Sequence, residues 1–389
     1  MSGTRPPPPP VNQKRAPGLR PVGDRAPVGW LLVPLLVAGC AASSSPPPAD
    51  LATVDAAFVS AGDLAIVDRA PLDSTLTDAA MPADAADPAD ADHQPTWTLL
   101  PSGTDVALNS VWGSGPNDVY VVGDSGTILH SSNGGVGWQK QACPIGNGLG
   151  SVRGTAGGGD VWIAAGISAL HTTNGGKLWT MEQPPLDVGT GAVVGASVVG
   201  DDVFMVGGTN TVVHSSVNAG GLWTAIYHDG LRSRHFRGTW AAPGPRAYVC
   251  GATNYDILAS GDLGMTWAVE YDELGGQTTE GLWGWPSGAE LYAVGSVGLI
   301  LHTLDGGKSW IAQPSGTMVG LKGVWGIDSG DVWVVGDHLT LLHSTDGGKS
   351  WQQNPTPPMD KRITFFDVWG FAPDDVYVVG DFGTILHYH

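Results

Sequence analysis

The chain has 389 residues, enough for one large domain or two ordinary ones. Glycine supplies 58 of them, roughly twice its usual ~7% share, and charged residues make up only 14%. So many turn formers and so few charges exclude a helical bundle or coiled coil. A net charge of −19 argues against nucleic-acid binding, which needs a basic footprint.

Residues 1–27 hold Arg5, Lys14, Arg15, Arg20 and Arg25 against a single acid, Asp24. A Leu/Val-rich run from Val28 to Gly39 follows, too short for a bilayer core that needs about 20 residues. A basic segment before a short apolar one reads as an export signal. The run ends Leu36-Val37-Ala38-Gly39-Cys40. This resembles a bacterial lipobox and implies a signal peptide over 1–39, with Cys40 lipidated after cleavage. Ala41 and Ala42, rather than Asp, follow the cysteine. In lipoproteins that pattern is similar to an outer-membrane address, so a lipid anchor in the bacterial cell envelope is expected. Residues 40–94 are Ala, Pro, Ser and Asp with the single base Arg69 before His93, a composition that cannot offset chain entropy by burial. They are read as a disordered stalk.

From residue 95 the chain repeats itself. The clearest unit runs from Ser110 through Val111-Trp112-Gly113 and Asp118-Val119-Tyr120-Val121-Val122-Gly123-Asp124 to His130. It returns at Gly323–Asp337 and at Asp367–Asp381, with weaker copies near Val152, Val193, Thr239 and Leu282, making seven. After each copy but the last comes Ser/Thr-x-Asp/Asn-x-Gly-x-x-Trp, closing at Trp138, Trp179, Trp223, Trp267, Trp310 and Trp351. A period of ~42 residues with several short strands per unit is that of a propeller blade. Each unit reads as an inner strand around Val111-Trp112, a second over Asp118–Val122 and a third over Thr127–His130. The Asp-box turn then leads to an outer strand. In that turn Asp or Asn accepts backbone N–H groups and Gly supplies positive φ.

The seventh unit stops at His389, before its outer strand. A spare outer strand lies at the other end, Pro95 to Thr104, and Trp97 stands 41 residues before Trp138. The expectation is an all-β, seven-bladed propeller over 95–389, closed by its N-terminal strand completing the last blade.

These boxes resemble the BNR/Asp-box β-propellers, a group with sialidases, sortilin-type receptors and photosystem II assembly factors. The Trp-Gly…Asp-Val-Tyr-Val-Val-Gly-Asp units are most similar to the last of these. The resemblance implies a binding scaffold, and fold alone does not fix function. A sialidase-like glycoside hydrolase is the alternative. It needs three arginines gripping a carboxylate, yet residues 94–152 hold none and the ring has only Arg153, Arg232, Arg234, Arg237, Arg246 and Arg362.

Third strands end in His130, His171, His214, His302, His343 and His387, with Ala259 in the remaining copy. Strand spacing of about 4.8 Å keeps equivalent positions in neighbouring blades too far apart for one metal ion. They are assigned to packing and hydrogen bonding between blades, and no metal or cofactor is expected. Trp112, Trp240, Trp283, Trp325 and Trp369 mark the inner strands and are assigned to packing between blades. Arg153 takes the Trp position in the second copy, and in the third a small residue is expected near Val194.

The candidate ligand site is the basic linker between the third and fourth blades, with Tyr227, His228, Arg232, Arg234 and Arg237, joined by Arg153. Charge-assisted bonds there would hold a protein or an anionic or carbohydrate ligand on the face of the inter-blade loops. Glu270 to Glu273 is acidic and offers these arginines an internal partner. The functional reading is a monomeric, non-enzymatic binding or scaffolding module anchored to a membrane by lipid. An assembly factor for a membrane complex is a further alternative. Cys250 aligns with Val122, Val335 and Val379 and is expected to be a buried strand residue, unbonded to Cys143.

Overall fold

The computed structural model describes residues 95–186, 192–208, 211–216, 221–227, 235–251, 257–271 and 276–389. The expected signal peptide, Cys40 and the expected stalk lie outside these residues, as do His228, Arg232 and Arg234.

The described residues form 28 strands, β1–β28 in chain order, in seven four-stranded antiparallel sheets. Blade 1 shows the rule: β2 (Leu108–Gly115) lies innermost, then β3 (Asp118–Gly123), β4 (Thr127–Ser131) and the short outer β5 (Gln139–Lys140). The inner strands of the other blades are β6 (Ser151–Gly154), β10 (Val193–Val199), β14 (Phe236–Ala241), β18 (Thr279–Gly284), β22 (Leu321–Asp328) and β26 (Phe365–Ala372). Each inner strand neighbours the next, and β26 neighbours β2, so the seven sheets close into a ring around a channel.

Closure runs as the sequence requires. β1 (Trp97–Leu100) is the outer strand of blade 7 and pairs with β28 (Ile385–Tyr388), with Trp97 opposite Tyr388 and Leu100 opposite Ile385. Thr96 and His389 extend the ladder with two backbone bonds of 3.0 and 3.3 Å. Trp97 is buried, meets Trp333 edge-on at 5.5 Å and donates its indole N–H to Asn354 at 3.0 Å. The Asp-box tryptophans repeat this scheme one blade back. Trp179 sits edge-on to Tyr120 and donates to Gln141, and Trp351 sits edge-on to Tyr292 and donates to Gln313. In both cases the acceptor lies three residues beyond the preceding box tryptophan. Three residues beyond Trp97 stands Leu100, which has no acceptor, and the Trp138 indole N–H is left without a partner.

The second strands carry the core. Val119, Val121 and Val122 have no exposed surface, nor have Val376, Val378 and Val379 of the last blade. Burial on both faces of such a strand explains its near-continuous Val/Tyr composition. Cys250 is buried as expected, facing Gly238 just as Val122 faces Ser110. Burial pushes its thiol up to about 12. Both it and Cys143 are free thiols.

Each Asp-box turn among the described residues is held by two side chains. The Ser131 hydroxyl accepts the N–H of Gly135 at 2.9 Å, and Asn133 Oδ1 accepts the N–H of Gly137 at 3.0 Å. Gly134 and Gly135 have φ of 65° and 78°, a region that disfavours side chains. The choice of Asp or Asn follows the residue four positions on. Asp305 takes both the N–H and the hydroxyl of Ser309, and Asp346 takes both from Ser350. Where that position is Gly137 or Leu178, with no hydroxyl, Asn stands in the box.

Candidate functional site

Strand direction separates the two faces of the ring. β4 runs parallel to β2, so the Asp-box turns share a face with the turns that end the inner strands. The linkers that enter each blade lie on the opposite face. Both mouths of the channel are lined by inner-strand residues.

The mouth on the Asp-box face is aromatic. Trp112, Trp240, Trp283, Trp325 and Trp369 line a cavity of about 580 Å³ with Trp285 and Phe371. The inner-strand tryptophans do pack blade on blade: Trp283 lies 6.3 Å from Trp325 and 5.5 Å, edge-on, from Trp369, and Trp369 lies 6.3 Å from Trp112. Trp112 and Trp325 are almost fully buried, whereas Trp283 and Trp369 keep part of their surface toward the cavity. Trp285 and Phe371 escaped the sequence reading because they stand two places past the repeated tryptophan, where other copies carry Ser114 or Ile327. The small residue of blade 3 is Ser197, three places beyond Val194. Ser197 pairs with Phe204 as Trp112 pairs with Tyr120, which sets this register.

The cavity at the opposite mouth is polar and smaller, about 120 Å³. Six of the seven inner strands bulge one residue after their first paired residue, and the bulged positions include Asn109, Val194, Arg237, Glu280, Lys322 and Phe366. A bulge re-aims its side chain, and all of these but Phe366 line this mouth. Arg237, about half exposed, pairs with Glu280 at 3.2 Å. The predicted basic cluster is thus represented in the described residues by Arg237 and by Tyr227, which closes β13 (Thr224–Tyr227). Among the described residues the partner of Arg237 is Glu280.

Arg153 does not reach toward Arg237. It reaches back across blade 1 to blade 7, where Nη1 and Nη2 lie 3.3 Å from Asp367 Oδ2. The same Asp367 oxygen accepts the Ser110 hydroxyl at 2.7 Å and the Val111 N–H at 3.2 Å, while Oδ1 accepts the Val368 N–H at 3.0 Å. Arg153 also donates to the carbonyls of Val111 and Val152, and its guanidinium stands 5.6 Å from the Trp369 ring centre. Charge, hydrogen bonds and ring contact fix it in the wall. Asp367 was not a sequence candidate. The only signal was an acid where other copies carry Gly281, Gly323 or Ser110.

The six histidines are side-chain clips within blades. His130 Nε2 lies 2.7 Å from Asp118 and the ring stacks on Tyr120 at 4.3 Å. His171, His214, His302, His343 and His387 repeat this with Asp160, Asp202, Glu290, Asp331 and Asp375. The bond from His130 holds the Asp118 carboxyl below its ordinary value, and burial pushes the Tyr120 phenol up to about 12. Blade 4 replaces both partners together, with Ala259 for the histidine and Arg246 for the acid. That Arg246 instead donates toward the Gly288 carbonyl.

Residues 311–389 match the family model described as photosynthesis system II assembly factor YCF48. Among solved structures, YCF48 from Cyanidioschyzon merolae superposes with a TM-score of 0.61 at 17% identity, over 76% of this chain and 99% of that one. YCF48 bound to D1 peptide gives 0.60 at 21% identity, over 76% and 96%. The GH74 xyloglucanase from Xanthomonas campestris gives 0.57 at 16% identity, over 75% of this chain and 53% of that one. No curated protein sequence matches the chain. The molecule is a seven-bladed Asp-box β-propeller. Its last blades are similar to the YCF48-type assembly-factor propellers, and its likeness to the xyloglucanase is one of fold.

Proposed function

We propose that the chain is a non-enzymatic binding scaffold, anchored by lipid on Cys40 outside the cytoplasm, at the outer membrane of a bacterial envelope. A protein partner would meet the inter-blade-loop face, where Tyr227, His228, Arg232, Arg234 and Arg237 cluster in sequence and Arg237 borders the polar mouth. The YCF48-like C-terminal blades support a scaffold rather than a hydrolase, as does a YCF48 structure described as bound to a D1 peptide. The observation that carries the reading is the fate of Arg153. Arg153, which lines both mouths of the channel, is bound to Asp367, Ser110 and two carbonyls, and so is not free to grip a substrate carboxylate.

Capture of envelope proteins on the anchored chain tests this, compared with the variant Arg232→Ala/Arg234→Ala/Arg237→Ala. Loss of a specific partner in the variant is expected, and equal capture by both would remove the site. Turnover of sialyl or other glycosyl substrates would overturn the non-enzymatic reading. Incorporation of labelled fatty acid into the chain, abolished by Cys40→Ala, is expected for the anchor.

A further inference from the structure

The aromatic mouth holds two kinds of tryptophan. Trp112 and Trp325 lay the benzo edge of the indole on Gly154 and Gly370 of the next blade, where an added Cβ would collide with the ring. Trp283 and Trp369 do not take that seat. Trp285 occupies the one on Gly326, and Phe371 the one on Gly113. The displaced pair reaches across the channel instead. Trp283 of blade 5 meets Trp369 of blade 7 edge-on at 5.5 Å, with blade 6 between them. Trp369 also lies 5.6 Å from the Arg153 guanidinium of blade 2. Contacts between blades that are not neighbours must run over the channel axis, so these two rings form a floor to the cavity of about 580 Å³. Both keep part of their surface exposed.

The wall around this floor offers hydrogen-bond donors. The indole nitrogens of Trp283 and Trp369 are sealed without a partner. Those of Trp112, Trp240 and Trp325 also have no acceptor among the described residues, yet they keep solvent contact in side chains only 3%, 9% and 2% exposed. All three line the cavity, and their N–H groups open there. Ser197 stands where five other blades carry tryptophan and leaves room beside them. Its hydroxyl accepts the Ala241 N–H at 3.0 Å, and its own hydrogen has no acceptor among the described residues. The lining holds no carboxylate, and its one charge, Arg153, is paired with Asp367.

We propose that this cavity binds an uncharged sugar, its ring stacked on Trp283 and Trp369 and its edge held by the indole N–H groups of the wall. An indole N–H donates and cannot accept. The ligand must therefore bring acceptors, which excludes a bare hydrocarbon. It must also be neutral: an ammonium would find no acid to pair with, and a carboxylate no free cation. The donors stand in blades 1, 3, 4 and 6, spread around the mouth, and so match a ligand with oxygens all round its edge. A pyranose has these, with apolar C–H faces for the aromatic rings. The cavity falls within the roughly 300–1,000 Å³ of small-ligand sites. It opens on the face opposite the inter-blade loops, so a chain that captures no protein there can still hold a sugar here.

Titration of the whole chain with the methyl glycosides of glucose, galactose, mannose and N-acetylglucosamine tests the site, read by indole N–H chemical shifts. Saturable shifts with at least one of these sugars are expected at Trp112, Trp240 or Trp325. Trp179 and Trp351, whose N–H groups are bonded to Gln141 and Gln313, should stay still. Glucosamine and glucuronate should bind at least about fivefold more weakly than the best neutral sugar, because their charges go unpaired. Trp283→Leu should weaken that sugar about tenfold through loss of the stacking ring. The shift pattern of the unmutated chain decides the site whether or not this variant folds. No saturation by any of the four glycosides would overturn the proposal. So would equal binding of open-chain sorbitol, which has the hydroxyls without the ring faces, or saturation by tetraproline in place of every sugar.

Discussion

Two arcs of one channel wall solve the same problem differently. In blades 7, 1 and 2, Asp367, Ser110 and Arg153 satisfy the channel-facing backbone through a network that spans three blades. In blades 3 to 6 the equivalent positions are Gly195, Gly238, Gly281 and Gly323, and the backbone of the next inner strand packs directly against them. The first arc is also where the ring is sewn shut, since blade 7 is built from both chain ends. The difference teaches that a repeat protein can brace its seam with a side-chain network and join its other blades by close backbone packing on glycine.

The comparison breaks most visibly at Asp367. Asp367→Ala would strand Arg153 in a partly buried wall and uncap two N–H groups, so a loss of about 3 kcal/mol in chemical denaturation is expected. If the seam is no more dependent on its network than the opposite arc, the loss will match that of Glu280→Ala, which removes a half-exposed pair expected to contribute under ~1 kcal/mol. A smaller effect concerns the clips. His343→Ala should cost about 1 kcal/mol through the lost bond to Asp331, plus the stack on Trp333. The paired change Arg246→Asp/Ala259→His should install the clip that blade 4 lacks. A double-mutant cycle checks it, with a favourable coupling of about 0.5 kcal/mol expected.

The smallest effect is the acid response of the Asp boxes. Hydroxyl and backbone donors from Ser309 and Ser350 hold Asp305 and Asp346 down to about 2, and Thr266 holds Asp262 low in the same way. A carboxyl depressed by folding stabilises the fold above its unfolded value and loses that contribution as pH falls through the folded one. The melting temperature should therefore fall between about pH 4 and pH 2. Replacing Asp262, Asp305 and Asp346 with Asn, as boxes 1 and 2 already have at Asn133 and Asn174, should flatten that fall. An unchanged slope would assign the acid response to the clips, led by Asp118.

The sequence carried the fold because the fold is periodic. Trp97 standing one period before Trp138, and a last blade cut short at His389, required β1 to lie beside β28. Strand spacing marked the histidines as structural but placed their contacts between blades, whereas each clips an acid and an aromatic ring of its own blade. The capping network was not, because Ser110, Arg153 and Asp367 are 43 to 257 positions apart, and only ring closure brings them together. Nor could the sequence tell that the repeated tryptophans crowd one mouth while Arg237, Glu280 and Lys322 border the other. That division comes from bulges, which shift the register by one residue and leave no local mark. The tract from His228 to Arg234 lies outside the described residues, so the basic cluster rests on its sequence and on Arg237.

The latch is the claim on which the rest depends, and amide hydrogen exchange reads it directly. Thr98 and His387 pair within the same ladder as Thr96 and His389. The closed ring predicts that the amides of Thr98 and His387 exchange only with global unfolding, as slowly as that of Val121 in the buried second strand of blade 1. Fast exchange at Thr98 and His387 with Val121 still protected would mean that the seam opens on its own, and would contradict the closed ring.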